Sequence, residues 1–493
     1  MDWGAEDSTT PHGGAPEENP SPPAGGWAII YASPASAKRM PGSTRRRKAG
    51  GDPRSPAHIA LVLAGRAFVR GRLQPVEIAI NDLGRIESIG KIRNGDLRHD
   101  VGDAVILPSA TDLHVHFREP GGPTGAETIA TGTVGAALGG VGLVGDMPNT
   151  RPPVTDVESW QEKANLVAGR ASVDLLLYAA PTNPQALLAL ARRAGGFKVY
   201  LAPTTGVETP PTAGELPQLW RSLANLQLPV SVHAEDPAFF GTEGHPTTPV
   251  EWNALRPAAA EDAALARVTS APKSLRLHAA HVTTVSGVAR LRSAGLSFEA
   301  TPHHLLLSDR SGVDPRFKVN PPLRTEPERR DLWQAFCRGE IPIVASDHAP
   351  HPLDAKELPF DRAPSGVPGV ETMLPLLLAR VRSGELDLAT LVSAACDRPA
   401  RWLGQSHGRI AVGHRANLIV VDFKLRTKVE GKRLHSPCGW TPFEGWEGIR
   451  PREHYRDGER IVEDGEFIGR PTGKVVRPEY ALGESGGRPS PSE

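Results

Sequence analysis

The chain has 493 residues with 56 Lys plus Arg against 56 Asp plus Glu, so it carries no global basic field for nucleic acid, and its length suggests about two to four domains. Its three cysteines, Cys337, Cys396 and Cys438, are far apart and odd in number, which argues against a disulfide framework and fits a reducing cytoplasm. No apolar run approaches the ~18 residues of a bilayer span, and the opening Met-Asp-Trp-Gly-Ala-Glu-Asp does not read as a secretory signal.

Residues 1–57 are rich in Gly, Pro, Ser and charge and are expected to form a disordered extension. Its basic cluster at 44–48 reads as a solvated arm rather than a nucleic-acid or targeting patch. From 58 to 103, short strand-like runs at 59–63 and 76–80 are bounded by Gly and Asn-Asp turn signals. They are predicted to form the first part of a small β domain. The centre, 104–404, alternates apolar runs with amphipathic stretches such as 184–191 and 328–336. Eight candidate strands fall near 104–116, 141–147, 173–180, 196–201, 229–233, 275–281, 297–301 and 342–347. Eight strand–helix units over ~290 residues predict a (β/α)8 TIM-type barrel, for which ~250 is typical. A doubly wound sheet is the runner-up, because periodicity does not show closure. From 405 to 475 the short strands return, at 408–413, 416–422 and 460–465. They are expected to join the first part in one small β-sandwich domain built from both chain ends, with a flexible tail over 476–493.

Barrel chemistry sits at the C-terminal ends of the strands. The first strand ends Asp112-Leu113-His114-Val115-His116-Phe117-Arg118. Residues two apart on a strand share a face, so His114 and His116 project together and suit one metal ion. The fourth strand carries Lys198, the fifth ends at His233, the sixth at His281 and the eighth at Asp347. One strand-end histidine is usually a core or capping residue. Five strands delivering ligand-type residues to the same mouth point to a metal centre. Lys198, among Phe197, Val199 and Tyr200, is costly to bury as an ammonium. Taken alone it reads as a snorkelling or ion-paired lysine. The sharper reading is carbamylation by CO2, which makes it a carboxylate able to bridge two divalent metals.

The chain resembles the dihydroorotases of the amidohydrolase superfamily from about residue 58 to 475. The matching motifs are His114-Val-His-Phe-Arg-Glu-Pro-Gly121, Asp146-Met-Pro-Asn-Thr150, Phe197-Lys198, His233-Ala-Glu235, His281-Val282, Thr301-Pro-His-His304, Lys318-Val-Asn-Pro-Pro322, Ser346-Asp-His-Ala-Pro-His351 and Gly366-Val-Pro-Gly-Val-Glu-Thr372. The resemblance implies two Zn2+ ions. His114 and His116 would bind one and His233 and His281 the other, with carboxylated Lys198 bridging them and Asp347 completing the site. Some members carry Asp in place of the bridging lysine; this chain looks like the lysine-bearing kind. His278, three residues before His281, should face the other way, and His303, His304 and His348 stay outside the ligand set.

The implied reaction is the reversible cyclisation of N-carbamoyl-L-aspartate to L-dihydroorotate in pyrimidine synthesis. The metals lower the pKa of a water, and Asp347 acts as base, then acid. Dihydroorotate differs from neutral cyclic ureides by its carboxylate. Arg118 suits that group through its planar fork, although alone it reads as a salt bridge with Glu119 or a neighbour. By resemblance Asn149 and His351 also bind the carboxylate, while Asn320 and the backbone around Gly366 hold the ring. The segment Pro203-Thr204-Thr205-Gly206 reads equally as a plain turn or as a lid bringing Thr204 to the substrate.

An allantoinase or hydantoinase/dihydropyrimidinase would share the metal ligands; Arg118, Asn149 and His351 favour the dihydroorotase. A non-catalytic dihydroorotase-like scaffold for aspartate carbamoyltransferase would lack ligands, and here all six positions are filled. A pure metal-binding module would leave Asp347 without purpose. Asn417 replaces the acidic residue of the family's Ala-Asp-Leu motif, with no expected effect on catalysis. The partners expected are the small-molecule substrate, further copies of this chain in a homo-oligomer, and by resemblance aspartate carbamoyltransferase; no nucleic acid and no membrane are expected.

Overall fold

Eight short apolar segments line up in chain order as parallel strands: β1 (Ala110–Val115), β2 (Val141–Asp146), β3 (Asp174–Ala179), β4 (Gly196–Tyr200), β5 (Pro229–His233), β6 (Arg276–Ala279), β7 (Ser297–Ala300) and β8 (Ile343–Val344). The computed structural model describes residues 58–481 apart from 124, 208 and 243. The predicted extension over 1–57, its basic cluster and the chain beyond 481 lie outside the described residues. Every residue of β1 to β5 is buried, which explains runs that are apolar throughout rather than alternating. The return from β8 to β1 is made by backbone: His116 N–H donates to the His348 carbonyl at 2.7 Å, and Val115 and His348 form a parallel bridge. Asp112 Oδ1 ties the same seam by accepting from His114 N at 3.1 Å and Ser346 N at 3.0 Å. The result is the expected TIM barrel. Capping boxes start its helices Ile129–Leu138 and Glu326–Cys337.

A separate eight-stranded sheet takes Ile59–Val69, Arg72–Asn81, Ile86–Gly90 and Leu97–Pro108 from one chain end. From the other it takes Leu418–Val421, Glu453–Arg456, Glu459–Glu463 and Glu466–Phe467. The ends meet where Leu418 to Val421 pair antiparallel with Pro108 to Val105. Leu63, Ile78, Ile106, Leu418, Val420 and Tyr455 form its own core, as expected of a β-sandwich drawn from both ends.

Three boundaries differ from the sequence reading. The run 104–107, predicted to open the first barrel strand, lies in the small sheet, and the barrel begins at Ala110. Ala104 and Ile106 face the small core while Val105 and Leu107 face the barrel core. One strand serves two cores, so its residues are apolar on both faces and no period marks the join. The tail predicted flexible from 476 is ordered further: Val475–Val476 pair with Leu175 and Leu176 of β3. They fill the part of β3 that β4 does not reach, since β4 pairs only with Tyr178 and Ala179. The stretch around 429–443, predicted within the small domain, instead packs Val429, Cys438, Trp440 and Phe443 against Val319, Val367 and Leu376. The three cysteines are free, and among the described residues no helix is long and apolar enough to cross a membrane.

Candidate metal centre and active site

The strand ends of the barrel bring His114, His116, Lys198, His233, His281 and Asp347 into one buried cluster. His114 Nδ1 lies 2.7 Å from Glu299 Oε1. A carboxylate only accepts, so His114 carries its proton on Nδ1 and presents a bare Nε2. His116 Nδ1 lies 2.6 Å from Asn149 Oδ1. The Asn149 amide donates from Nδ2 to the Thr205 carbonyl at 2.9 Å, which fixes its oxygen toward His116. Both freed Nε2 atoms stand 3.2 Å from Asp347 Oδ1. Across the mouth, His233 Nε2 is held by Glu235 at 2.8 Å, and its Nδ1 faces His281 Nε2 at 3.0 Å. Lys198 Nζ sits among them, 3.3 Å from His114 Nε2 and 3.4 Å from Ser231 Oγ.

These residues fit a metal centre. Ligand atoms of His114, His281 and Asp347 all lie within 4.8 Å of one another. His281 Nδ1 is buried without a partner. Burial pushes all four imidazoles below their ordinary pKa, which keeps them in the neutral form a metal requires. Burial alone would raise the Asp347 carboxyl, but His116, His303 and Lys198 together bring it below its ordinary pKa. Lys198 is pushed down to about 8 by burial, and no carboxylate among the described residues is in ion-pair distance of it. His281 and Asp347 adopt φ of 38° and 45°, a region that non-glycine residues enter mainly at constrained functional positions.

Behind the cluster stand groups that orient it. Glu299 joins His114 to His278, whose Nε2 lies 2.9 Å from its second oxygen, and His278 Nδ1 meets Ser297 Oγ at 2.8 Å. Arg256 Nε donates to Glu235 at 3.2 Å. Burial would raise Glu235, yet Arg256 and His233 hold it far below the carboxylate range. His304 is occupied by Thr301 Oγ1 at 2.8 Å and the Pro321 carbonyl at 2.9 Å. His348 is occupied by Glu127 and by the Gly369 amide.

The centre opens on a cleft. His114, His116, His233, His281 and Asp347 form its floor; Arg118, Asn149, Asn320 and Gly366 stand on its walls. Arg118 is not paired with Glu119, which binds Arg170 at 2.9 Å. Its Nε donates to the Pro350 carbonyl at 3.2 Å and its Nη2 to His351 Nε2 at 3.1 Å. No carboxylate among the described residues pairs with it. His351 stands behind Arg118, and Lys198 lies beneath the floor; neither is on the cleft wall. Asn320 Nδ2 donates to Thr204 Oγ1 at 3.2 Å, and its Oδ1 accepts from Trp252 Nε1 at 3.1 Å. Gly366, at φ 136°, approaches so closely that a Cβ would lie 2.5 Å from the Ala349 carbonyl oxygen.

The sequence reading missed Tyr200, Thr205, Ala349 and Ser365, which also line the cleft. Tyr200 was within reach of the period-two rule, being two residues past Lys198. The segment 203–206 is both a turn and a wall. Thr204 and Val207 exchange backbone hydrogen bonds at 3.0 and 2.9 Å, and Thr205 Oγ1 donates to the Ser365 carbonyl at 3.2 Å.

Residues 105–445 match the model of the amidohydrolase family. The chain is similar to a dihydroorotase of Halobacterium salinarum, 36% identical over 426 residues that cover 84% of this chain and 99% of that one. A dihydroorotase of Archaeoglobus fulgidus is 35% identical, covering 82% of this chain and 97% of its own. Among solved structures, the L-hydantoinase (dihydropyrimidinase) of Arthrobacter aurescens superposes with a TM-score of 0.80 at 26% identity, covering 85% of this chain and 100% of that one.

Proposed function

We propose, from the premise that this chain belongs to the amidohydrolase family, that it is a dihydroorotase, a hydrolase of a cyclic amide. It opens L-dihydroorotate to N-carbamoyl-L-aspartate by adding water across the ring C–N bond, and closes it by the reverse. The observation that carries the substrate is Arg118: a guanidinium on the cleft wall with no acidic partner among the described residues, beside the ligand cluster. Relatives named dihydroorotase, 35–36% identical over most of the chain, support the same reading.

Two Zn2+ ions, held by His114, His116, His233, His281, Asp347 and a carboxylated Lys198, would supply an activated water at neutral pH and polarise the ring carbonyl. Lys198, with its ammonium pushed toward neutral pH by burial, offers a free amine for CO2: the N–C bond forms, one proton leaves, and a carboxylate remains. Asp347, whose carboxyl is held below its ordinary pKa by the groups around it, takes the proton of the attacking water on a carboxylate oxygen. It delivers that proton to the ring nitrogen as the C–N bond breaks. Arg118 pairs with the substrate carboxylate. His351 props the guanidinium, Asn149 orients His116, and Asn320 with the Gly366 backbone bounds the ring. The reading includes a cytoplasmic location, which three free cysteines support, and a homo-oligomer. Sedimentation with and without aspartate carbamoyltransferase tests the assembly.

The deciding experiment is ring opening of L-dihydroorotate by zinc-loaded protein, with allantoin, hydantoin and dihydrouracil alongside. Turnover of dihydroorotate alone is expected. Preference for a neutral ring would keep the metal centre and overturn the role of Arg118. Bound metal without turnover of any would favour a scaffold.

A further inference from the structure

The Lys318-Val-Asn-Pro-Pro motif contains a lysine that the reaction does not use. Lys318 and Lys356 are 3% and 2% exposed, and no carboxylate among the described residues is in ion-pair distance of either. Each Nζ instead faces three carbonyls. Lys318 donates to Phe360 at 2.7 Å, Ala363 at 2.8 Å and Asp361 at 3.1 Å. Lys356 donates to Pro364 at 2.8 Å, Pro315 at 2.9 Å and Lys318 at 3.4 Å. Three acceptors use three N–H bonds, which only the ammonium has. Aromatic faces complete the cages: Trp252 lies 4.5 Å from Lys318 Nζ and Trp440 5.4 Å from Lys356 Nζ.

Four of these six carbonyls, those of Phe360, Asp361, Ala363 and Pro364, belong to the loop that ends in the cleft wall. Pro364 precedes Ser365 and Gly366, both wall residues, and Gly366 N donates to the Lys318 carbonyl at 2.9 Å. The nearby acids are engaged elsewhere: Asp314 with Arg316 at 2.8 Å and Asp361 with His245 at 3.2 Å. Burial, followed by the Lys318 and Arg118 charges, pushes the Lys356 ammonium well below its ordinary pKa, and burial pushes Lys318 down to about 8; the three carbonyl acceptors at each Nζ oppose that loss of the proton. Buried charges are normally paired. Arg118 on the cleft wall and two lysines buried behind the loop that forms it, with no carboxylate among the described residues in ion-pair distance of any of the three, leave a place for an anion.

We propose that Lys318 and Lys356 are positioning residues for an anionic ring. Their caged ammoniums fix the Ser365–Gly366 wall, and their charge is offset by the carboxylate of the bound substrate. The claim rests on the dihydroorotase reading for the identity of that substrate. Glutamine keeps two of the three N–H donors and removes the whole charge, so Lys318→Gln and Lys356→Gln weaken the electrostatics more than the fastening.

The test is titration calorimetry on metal-loaded protein with orotate, a planar ring bearing the carboxylate, and uracil, the same ring without it. Each variant is expected to keep its thermal midpoint within a few degrees and to bind orotate about tenfold more weakly, with uracil affinity unchanged. Equal weakening of both ligands, no weakening of either, or loss of fold in both variants would make the pair structural and overturn the proposal. A parent protein that does not distinguish orotate from uracil would overturn the dihydroorotase reading itself. A selective parent with equally selective variants would overturn only the role of the lysines.

Discussion

Arg118 donates from Nη2 to His351 Nε2 at 3.1 Å. A guanidinium has no acceptor, so the imidazole accepts on Nε2 and carries its proton on Nδ1. The Ser365 carbonyl, 3.0 Å from the same nitrogen, then takes its proton from Thr205 Oγ1 instead. Burial, followed by the Arg118 charge, keeps His351 well below its ordinary pKa, in agreement with a neutral ring. Trp440 Nε1 holds the His351 carbonyl at 2.9 Å. Arg118→Met should therefore raise KM for dihydroorotate by about 10- to 100-fold, the worth of a charged hydrogen-bonded pair. His351→Leu should raise it by only about 3- to 10-fold, since it loosens the fork without removing it. Steady-state KM and kcat for both variants decide. An effect at His351 equal to that at Arg118 would place the imidazole on the ligand itself.

Lys198 has no carboxylate in ion-pair distance among the described residues and sits 3.3 Å from His114 Nε2. Lys198→Ala should lose metal and nearly all turnover, and short carboxylic acids such as acetate or propionate should restore part of both by occupying the vacated space. Metal content per chain and turnover, each with and without added acid, check this. Full activity in the alanine variant would exclude a bridging role.

Glu299 controls which nitrogen His114 presents. Glu299→Gln keeps the size of the side chain but replaces one acceptor oxygen with a donor, in contact with either His114 or His278. Metal affinity should fall about 10- to 100-fold, the usual cost of losing such a partner. Competition against a chelator measures it. Unchanged affinity would show that burial alone orients the ring.

The buried cluster was legible because strand periodicity is local: His114, His116, Lys198, His233, His281 and Asp347 each follow an apolar run and meet at one barrel end. The barrel was legible for the same reason, as eight buried strands leave eight apolar segments. What stayed hidden depends on distance across the chain. Nothing near His351 shows that it would prop Arg118 rather than face the cleft, and nothing near Asn149 shows that its amide is divided between His116 and Thr205. The 104–107 run was misplaced because a strand lying between two cores has no polar face. Lys356 lies in no recognised motif, and only the folded loop reveals its cage of carbonyls.

Stability should depend on pH through histidines far from the cleft. His407 is buried, with Nε2 2.8 Å from Thr111 Oγ1, and burial lowers its pKa from 6.5 to about 3. His454 is lowered likewise to about 4, while the Ala137 carbonyl lies 2.8 Å from its Nδ1. In the unfolded chain both protonate below about 6.5. Between the two values the unfolded state binds the extra proton, so acid favours unfolding. Their stabilising effect is complete above about pH 6.5 and is lost as pH falls toward the folded values, at roughly 1.4 kcal/mol per pH unit for each histidine. Urea midpoints of metal-loaded protein should fall steeply from pH 6 to 4.5 and stay nearly flat from 7 to 8. His407→Gln keeps a polar partner for Thr111 but does not titrate, so its acid slope should be shallower by about one proton. A variant with the same slope as the parent would show that His407 is already protonated in the folded protein.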